Sequence, residues 1–174
     1  MLMNLTDVFT SAGKVKKVNV PYANDIFSYM GNKYPIKEKT EIAFTFSNVG
    51  TESVLIEGEL QLVLDIPCDR CLQSVNVHVS VTFAHQVASP EKEEASSEED
   101  EQIFMSGYEL DVDTLINNEI LINMPVKVLC KEECKGICPV CGGNLNEKEC
   151  GCDTFVPDPR MAAIKDIFNA NKEV

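Results

Sequence analysis

The chain has 174 residues, 44% of them apolar and 25% charged, with a net charge of −13. That length allows one domain with a full core and a small appended module, while such acidity excludes the general electrostatic attraction that dominates non-specific nucleic-acid binding. No stretch nears the roughly 18 apolar residues of a membrane-spanning helix, and the amino terminus MLMNLTDVFTSAGKVKK lacks the basic-then-apolar pattern of a secretory signal, so a cytoplasmic location without a membrane partner is expected.

The first forty residues run against the overall charge, with Lys14, Lys16, Lys17, Lys33, Lys37 and Lys39 against Asp7, Asp25 and Glu38. The lysines at 14–17 either meet phosphate or decorate an exposed strand. Residues 40–48 then alternate, placing Ile42, Phe44 and Phe46 on one face. Residues 53–66 do the same over a longer run, with Val54, Ile56, Leu60, Leu62, Leu64 and Ile66 of one parity and Glu57, Glu59, Gln61 and Asp65 of the other. A third run over 74–84 points Val75, Val77, Val79, Val81 and Phe83 inward and Asn76, His78, Ser80 and Thr82 outward. Period-two patterning marks strands with one buried face. The last two runs read as an antiparallel hairpin whose tip carries Cys68-Asp69-Arg70-Cys71.

After Ser89 the alternation stops. Residues 91–101, EKEEASSEEDE, hold seven acids and one lysine, the composition of a solvated loop. Asp111 or Asp113 is placed to cap a helix running to about Ile122, with Leu115, Ile116 and Ile120 on one face and Pro125 beyond its end. Near the carboxyl end, Asp158-Pro159-Arg160 reads as a helix start, followed by Met161, Ile164 and Phe168 at helical spacing.

Between these helices lies CKEECKGICPVCGGNLNEKECGC, residues 130–152, with six cysteines in three close pairs. Together with Cys68 and Cys71, all eight cysteines of the chain are paired at short spacing. Two such pairs supply the four thiolates of a tetrahedral site, and in a reducing cytosol paired thiols point to metal rather than disulfide. Cys138 and Cys141 with Cys150 and Cys152 form the favoured site, which leaves Cys130 and Cys134 to join Cys68 and Cys71. Alternatively, Cys130 and Cys134 complete a site with Cys138 and Cys141, and the hairpin pair is free. One or two ions are accommodated. Zinc is favoured over iron because four protein ligands with no vacant position describe structural zinc.

Other chemistries find less support. A redox C-x2-C pair usually opens a helix whose dipole lowers the thiol pKa, and Cys68–Cys71 lies between strands. His78 falls on an outward position, and His85 sits at the fraying end of its strand with no carboxylate, serine or cysteine apparent beside it. Asp111 and Asp113 are explained by capping, and Gly142-Gly143 belongs to a cysteine turn rather than a phosphate loop. An enzyme is not expected.

Several of these features in this order resemble the bacterial large ribosomal RNA subunit accumulation protein family, the YceD-like proteins, in its cysteine-rich branch. The likeness is carried by Cys68-Asp69-Arg70-Cys71-Leu72, by YELDVDTLINNEILINMP over 108–125, by the CKGICPVCGGNLN core and by Asp158-Pro159-Arg160. The resemblance implies a non-catalytic role in building up large-subunit ribosomal RNA. The partner would be a large-subunit precursor, met as RNA or as a ribosomal or assembly protein, with no small-molecule substrate. Because the family includes members without the carboxyl-terminal cysteines, the metal is implied to be a local stabiliser. Arg160 is implied as a contact for a phosphate or a partner carboxylate; its alternative is an exposed first-turn arginine. The competing readings are a zinc- or thiol-based redox switch and a rubredoxin-like electron carrier.

The expected fold is α+β, mainly an antiparallel sheet or partly closed barrel, with a zinc-knuckle module and a C-terminal helix. The expected divisions are a β-rich domain over 1–129 with an acidic loop at 90–101, a cysteine-rich metal-binding module over 130–157 and a C-terminal helix over 158–174.

Overall fold

A computed structural model describes residues 1–50, 53–90 and 103–152. The expected acidic loop beyond Pro90 and the expected helix from Asp158, Arg160 included, lie outside the described residues. The fold is α+β. Its elements in chain order are β1 (Leu2–Asn4), α1 (Thr6–Phe9), β2 (Val15–Pro21), β3 (Ile26–Tyr29), β4 (Asn32–Lys39), β5 (Glu41–Gly50), β6 (Ser53–Pro67), β7 (Ser74–Ala88), β8 (Met105–Ser106), β9 (Glu109–Asp111) and α2 (Val112–Asn123).

The main sheet is antiparallel throughout. β6 pairs with β7 over its whole length, from Ser53 opposite Ala88 to Pro67 opposite Ser74. Along its other edge β6 takes β5 beside its first half and β4 beside its second, so residues 32–50 form one long path broken only around Thr40. β2 and β3 flank that path in turn. The sheet stays open, ending on β2 and β3 at one side and on β7 at the other, so the barrel alternative is set aside. A second, three-stranded sheet orders β1, β9 and β8.

One face of the main sheet is buried. Ile42, Phe44, Phe46, Val54, Ile56, Leu60, Leu64, Val79, Val81 and Phe83 meet Leu5, Val8 and Phe9 from α1 and its approach, and Leu115, Ile116 and Ile120 from α2. Gly58 takes the inward position where the alternation of β6 would otherwise place a large side chain, and the ring of Phe83 on β7 fills the space. A Cβ there would lie 2.1 Å from Phe83 Cζ. Buried Asn48 closes the end of α1, its Nδ2 donating to the carbonyls of Val8 at 2.8 Å and Phe9 at 3.1 Å. α2 begins at Asp111, whose carboxylate accepts from the backbone N–H groups of Asp113 and Thr114.

The lysines of 14–17 divide. Lys14 and Lys16 both pair with Asp7, at 3.1 and 3.3 Å, and Lys17 faces outward opposite Thr45.

Candidate metal centres

The tight pairing of β6 and β7 carries the hairpin tip, residues 68–73, clear of the sheet at one end. There Cys68-Asp69-Arg70-Cys71 folds as a knuckle. The N–H of Leu72 donates to the Cys68 carbonyl at 2.9 Å, and Leu72 takes φ 61° to turn the chain away. Residues 138–142 repeat the geometry: the Gly142 N–H donates to the Cys138 carbonyl at 2.8 Å with φ 72°. In both knuckles the two backbone N–H groups at the turn, Arg70 and Cys71 or Val140 and Cys141, point at the first sulfur.

The eight sulfurs form two groups. Cys68, Cys71, Cys130 and Cys134 make one cluster; Cys138, Cys141, Cys150 and Cys152 make the other, and within each all sulfurs lie within 4.8 Å of one another. The alternative set of Cys130 and Cys134 with Cys138 and Cys141 is not brought together. In the first cluster Cys68 Sγ is 3.8 Å from Cys134 Sγ, and Cys71 Sγ is 3.5 Å from Cys130 Sγ. A tetrahedron with zinc–sulfur bonds of about 2.3 Å has edges of about 3.8 Å, so the spacing fits a thiolate-bound ion.

Segment 128–137 is fastened to the hairpin tip by more than sulfur. Asp69 and Val128 exchange two hydrogen bonds: the Asp69 N–H donates to the Val128 carbonyl at 2.9 Å, and Asp69 Oδ2 accepts from the Val128 N–H at 2.7 Å. Arg70 Nη1 donates to the Cys134 carbonyl at 2.9 Å, and the Arg70 carbonyl accepts from Ile137 N–H at 3.1 Å. The sulfurs are themselves held: Cys130 N–H donates to Cys68 Sγ and Asn146 Nδ2 to Cys134 Sγ, each at 3.3 Å. Outer contacts of this kind orient ligands and tune their basicity.

Electrostatics point the same way. At Cys68 burial works to raise the pKa, but the N–H groups of Arg70, Cys71 and Cys130 outweigh it and bring the thiol down to about 6. Burial and then the sulfurs of Cys71, Cys134 and Cys68 push Cys130 up to about 12. In the second cluster the N–H groups of Cys141 and Val140 lower Cys138 to about 6, while Cys150 and Cys141 drive Cys152 to about 12. Four crowded thiols thus resist ionising together, and a cation at the centre removes that resistance. The donor set and its spacing fit a divalent ion in both clusters.

Residues 56–168 match the family described as large ribosomal RNA subunit accumulation protein YceD. The chain belongs to this family. Uncharacterized proteins of Mycobacterium bovis and Mycobacterium tuberculosis are each 27% identical over 124 residues, 71% of this chain and 59% of theirs. A chloroplastic protein of Arabidopsis thaliana, large ribosomal RNA subunit accumulation protein YCED homolog 1, is 34% identical over 44 residues, 25% of this chain and 14% of its own. The chain therefore spans 59% of the length of those mycobacterial relatives. No solved structure matches it.

The stretch shared with the YceD family takes in β6 from Ile56, β7, α2 and both clusters. It also holds a pair that the sequence reading missed. His85 does not end a fraying strand; β7 runs on to Ala88, and His85 sits on the inward parity between Phe83 and Phe104, with ring centroids at 5.8 and 5.3 Å. Its Nε2 lies 2.7 Å from Oε1 of buried Glu119 on α2. His85 shares the parity of Val81 and Phe83, which was the available signal, whereas the register of α2 over β7 was not in the sequence. His78 is exposed on the outer face. Asp69, Arg70 and Asn146 were visible only as parts of motifs, and the structure makes them the fasteners of the first cluster. No helix among the described residues is long and apolar enough to cross a membrane.

Proposed function

We propose that this protein is a non-catalytic factor supporting accumulation of the large ribosomal RNA subunit, acting in the cytoplasm through contacts with a large-subunit precursor. The observation that carries the reading is the extent of the family match, residues 56–168, which includes the hairpin tip, α2 and both clusters. A net charge of −13 favours a basic ribosomal or assembly protein as the direct contact, or RNA reached jointly with one. Arg160 falls within the matched stretch and is proposed as a partner contact.

Zinc, one ion in each cluster, is the proposed metal, held by Cys68, Cys71, Cys130 and Cys134 and by Cys138, Cys141, Cys150 and Cys152. Eight thiolates in closed sets of four support a structural ion with no open coordination position. Its work is to hold residues 128–152 in place, where little apolar core is available to do so.

Sedimentation of cell lysate tests the function. The protein is expected to travel with large-subunit precursors, and its depletion to lower large-subunit RNA relative to small-subunit RNA. Nuclease treatment before pull-down separates an RNA contact from a protein contact. If depletion leaves the RNA ratio unchanged and nothing co-sediments, the reading is wrong. Elemental analysis of purified protein tests the metal: two zinc ions in a colourless protein are expected, whereas red-brown protein would favour the electron-carrier reading.

A further inference from the structure

Resting on the zinc reading above, we propose that the two clusters differ in permanence: the second is an exchangeable metal site that hydroperoxides convert to a Cys141–Cys150 disulfide, while the first keeps its ion. The contrast is one of access. In the first cluster Cys68, Cys71 and Cys134 are buried and Cys130 half-buried, packed among Val75 and Leu129. In the second, only Cys138 is buried; Cys141 and Cys150 are both exposed. The surroundings are open as well, since a Cβ added at Gly142 or Gly151, beside Cys141 and beside Cys150 and Cys152, would meet nothing within 4 Å. Reactive thiolates are those that solvent species can reach.

The chemistry closes on these two residues. The Cys141 thiolate attacks the terminal peroxide oxygen; an S–O bond forms, the O–O bond breaks and hydroxide leaves (an alkoxide where the oxidant is an alkyl hydroperoxide). The resulting sulfenic acid is attacked by the Cys150 thiolate, which lies within 4.8 Å; an S–S bond forms, the S–O bond breaks and a second hydroxide leaves. Two thiolates lose two electrons and one peroxide gains them. Cys138 and Cys152 alone are too few to retain the ion.

The full-length zinc-loaded protein is the sample, and hydrogen peroxide is the probe. Native mass spectrometry and a chromogenic zinc indicator would follow metal loss, and peptide mapping would follow the thiols. One zinc per chain is expected to leave roughly tenfold or more faster than the other, together with a peptide pair joined through Cys141 and Cys150 while Cys68, Cys71, Cys130 and Cys134 stay reduced. A weak chelator without oxidant should likewise remove one ion first. Loss of both ions at one rate, or earlier oxidation of the first cluster, overturns the proposal and leaves the zinc reading standing. Protein that carries no metal when gently purified overturns both.

Discussion

Cys68–Cys71 and Cys138–Cys141 fold alike, but the sulfurs that complete them come from different distances along the chain. Cys71 meets Cys130 across 59 residues and Cys68 meets Cys134 across 66, whereas the second cluster is drawn entirely from residues 138–152. Closing a loop of about sixty residues costs about 1.5–2 kcal/mol more entropy than closing one of about nine, and that ordering is what the first cluster supplies. It joins the end of the long hairpin to the segment that follows α2; the second organises only its own turn. One local motif therefore serves as a weld in one place and as a clip in the other.

Substitution should expose the difference at once. Cys68→Ser places a hydroxyl in a fully buried position and removes one of the four proposed ligands of the welding site. A loss of roughly 3–5 kcal/mol is expected, seen as a large fall in Tm and as new proteolytic cleavage near Leu129. Cys141→Ser, exposed and local, should cost roughly 1–2 kcal/mol and leave protection at Leu129 intact. Equal losses from the two variants would show that the clusters form one cooperative unit and would remove the distinction.

A site far from both clusters supplies the control. Gly58→Ala puts a methyl group 2.1 Å from Phe83 Cζ, 2.7 Å from Cε1 and 2.8 Å from Cε2. The ring must leave its place against the sheet, at an expected cost of roughly 1–3 kcal/mol. Thermal unfolding should record that loss while the content of the proposed zinc stays at its wild-type ratio. A fall in zinc content would mean that the clusters depend on the sheet's core packing and not on the hairpin tip alone.

The N-cap of α2 adds a smaller, pH-dependent effect. The Thr114 hydroxyl, opposed in part by burial and aided by the Thr114 and Asp113 N–H groups, holds the Asp111 carboxyl below its ordinary value of 3.8. A depressed carboxyl stabilises the fold above its ordinary value, and that contribution is lost as the pH falls through the folded value. Asp111→Ala should therefore cost about 1 kcal/mol at pH 7 and progressively less below pH 3.8. Because α2 packs on β7 and not on the clusters, this loss should leave metal content unchanged.

Which parts could be read from sequence follows from how local each cause is. The parity of Val54–Ile66 and of Val75–Phe83 fixed two long strands and the place of the tip between them, since alternation is a property of neighbours. Asp111 was legible as a cap for the same reason. The strands before residue 40 were not, because Pro21, Asn24 and Pro35 interrupt their alternation and their partners are set by pairing with β4, β5 and β6. His85 with Glu119 and Arg70 with Cys134 were invisible because each joins residues 34 or more apart. Spacing alone limits which cysteines share an ion but does not decide it; the docking of Val128 on Asp69 brings Cys130 and Cys134 to the hairpin.

The smallest expected effect is also the sharpest probe of the shared knuckle. Leu72 and Gly142 occupy equivalent positions, both with positive φ, yet only glycine adopts that conformation without strain. Leu72 is 65% exposed, so its side chain gains little from burial. Replacing it with glycine relieves backbone strain of about 1 kcal/mol but frees the unfolded chain by a similar amount, and Leu72→Gly should change Tm little in either direction. Gly142→Ala incurs the strain without any compensating contact and should cost about 1 kcal/mol. If Leu72→Gly keeps full stability and zinc but lowers large-subunit RNA, the exposed leucine is retained for a partner at the hairpin tip; if RNA levels are unchanged, the residue is only a tolerated irregularity in the turn.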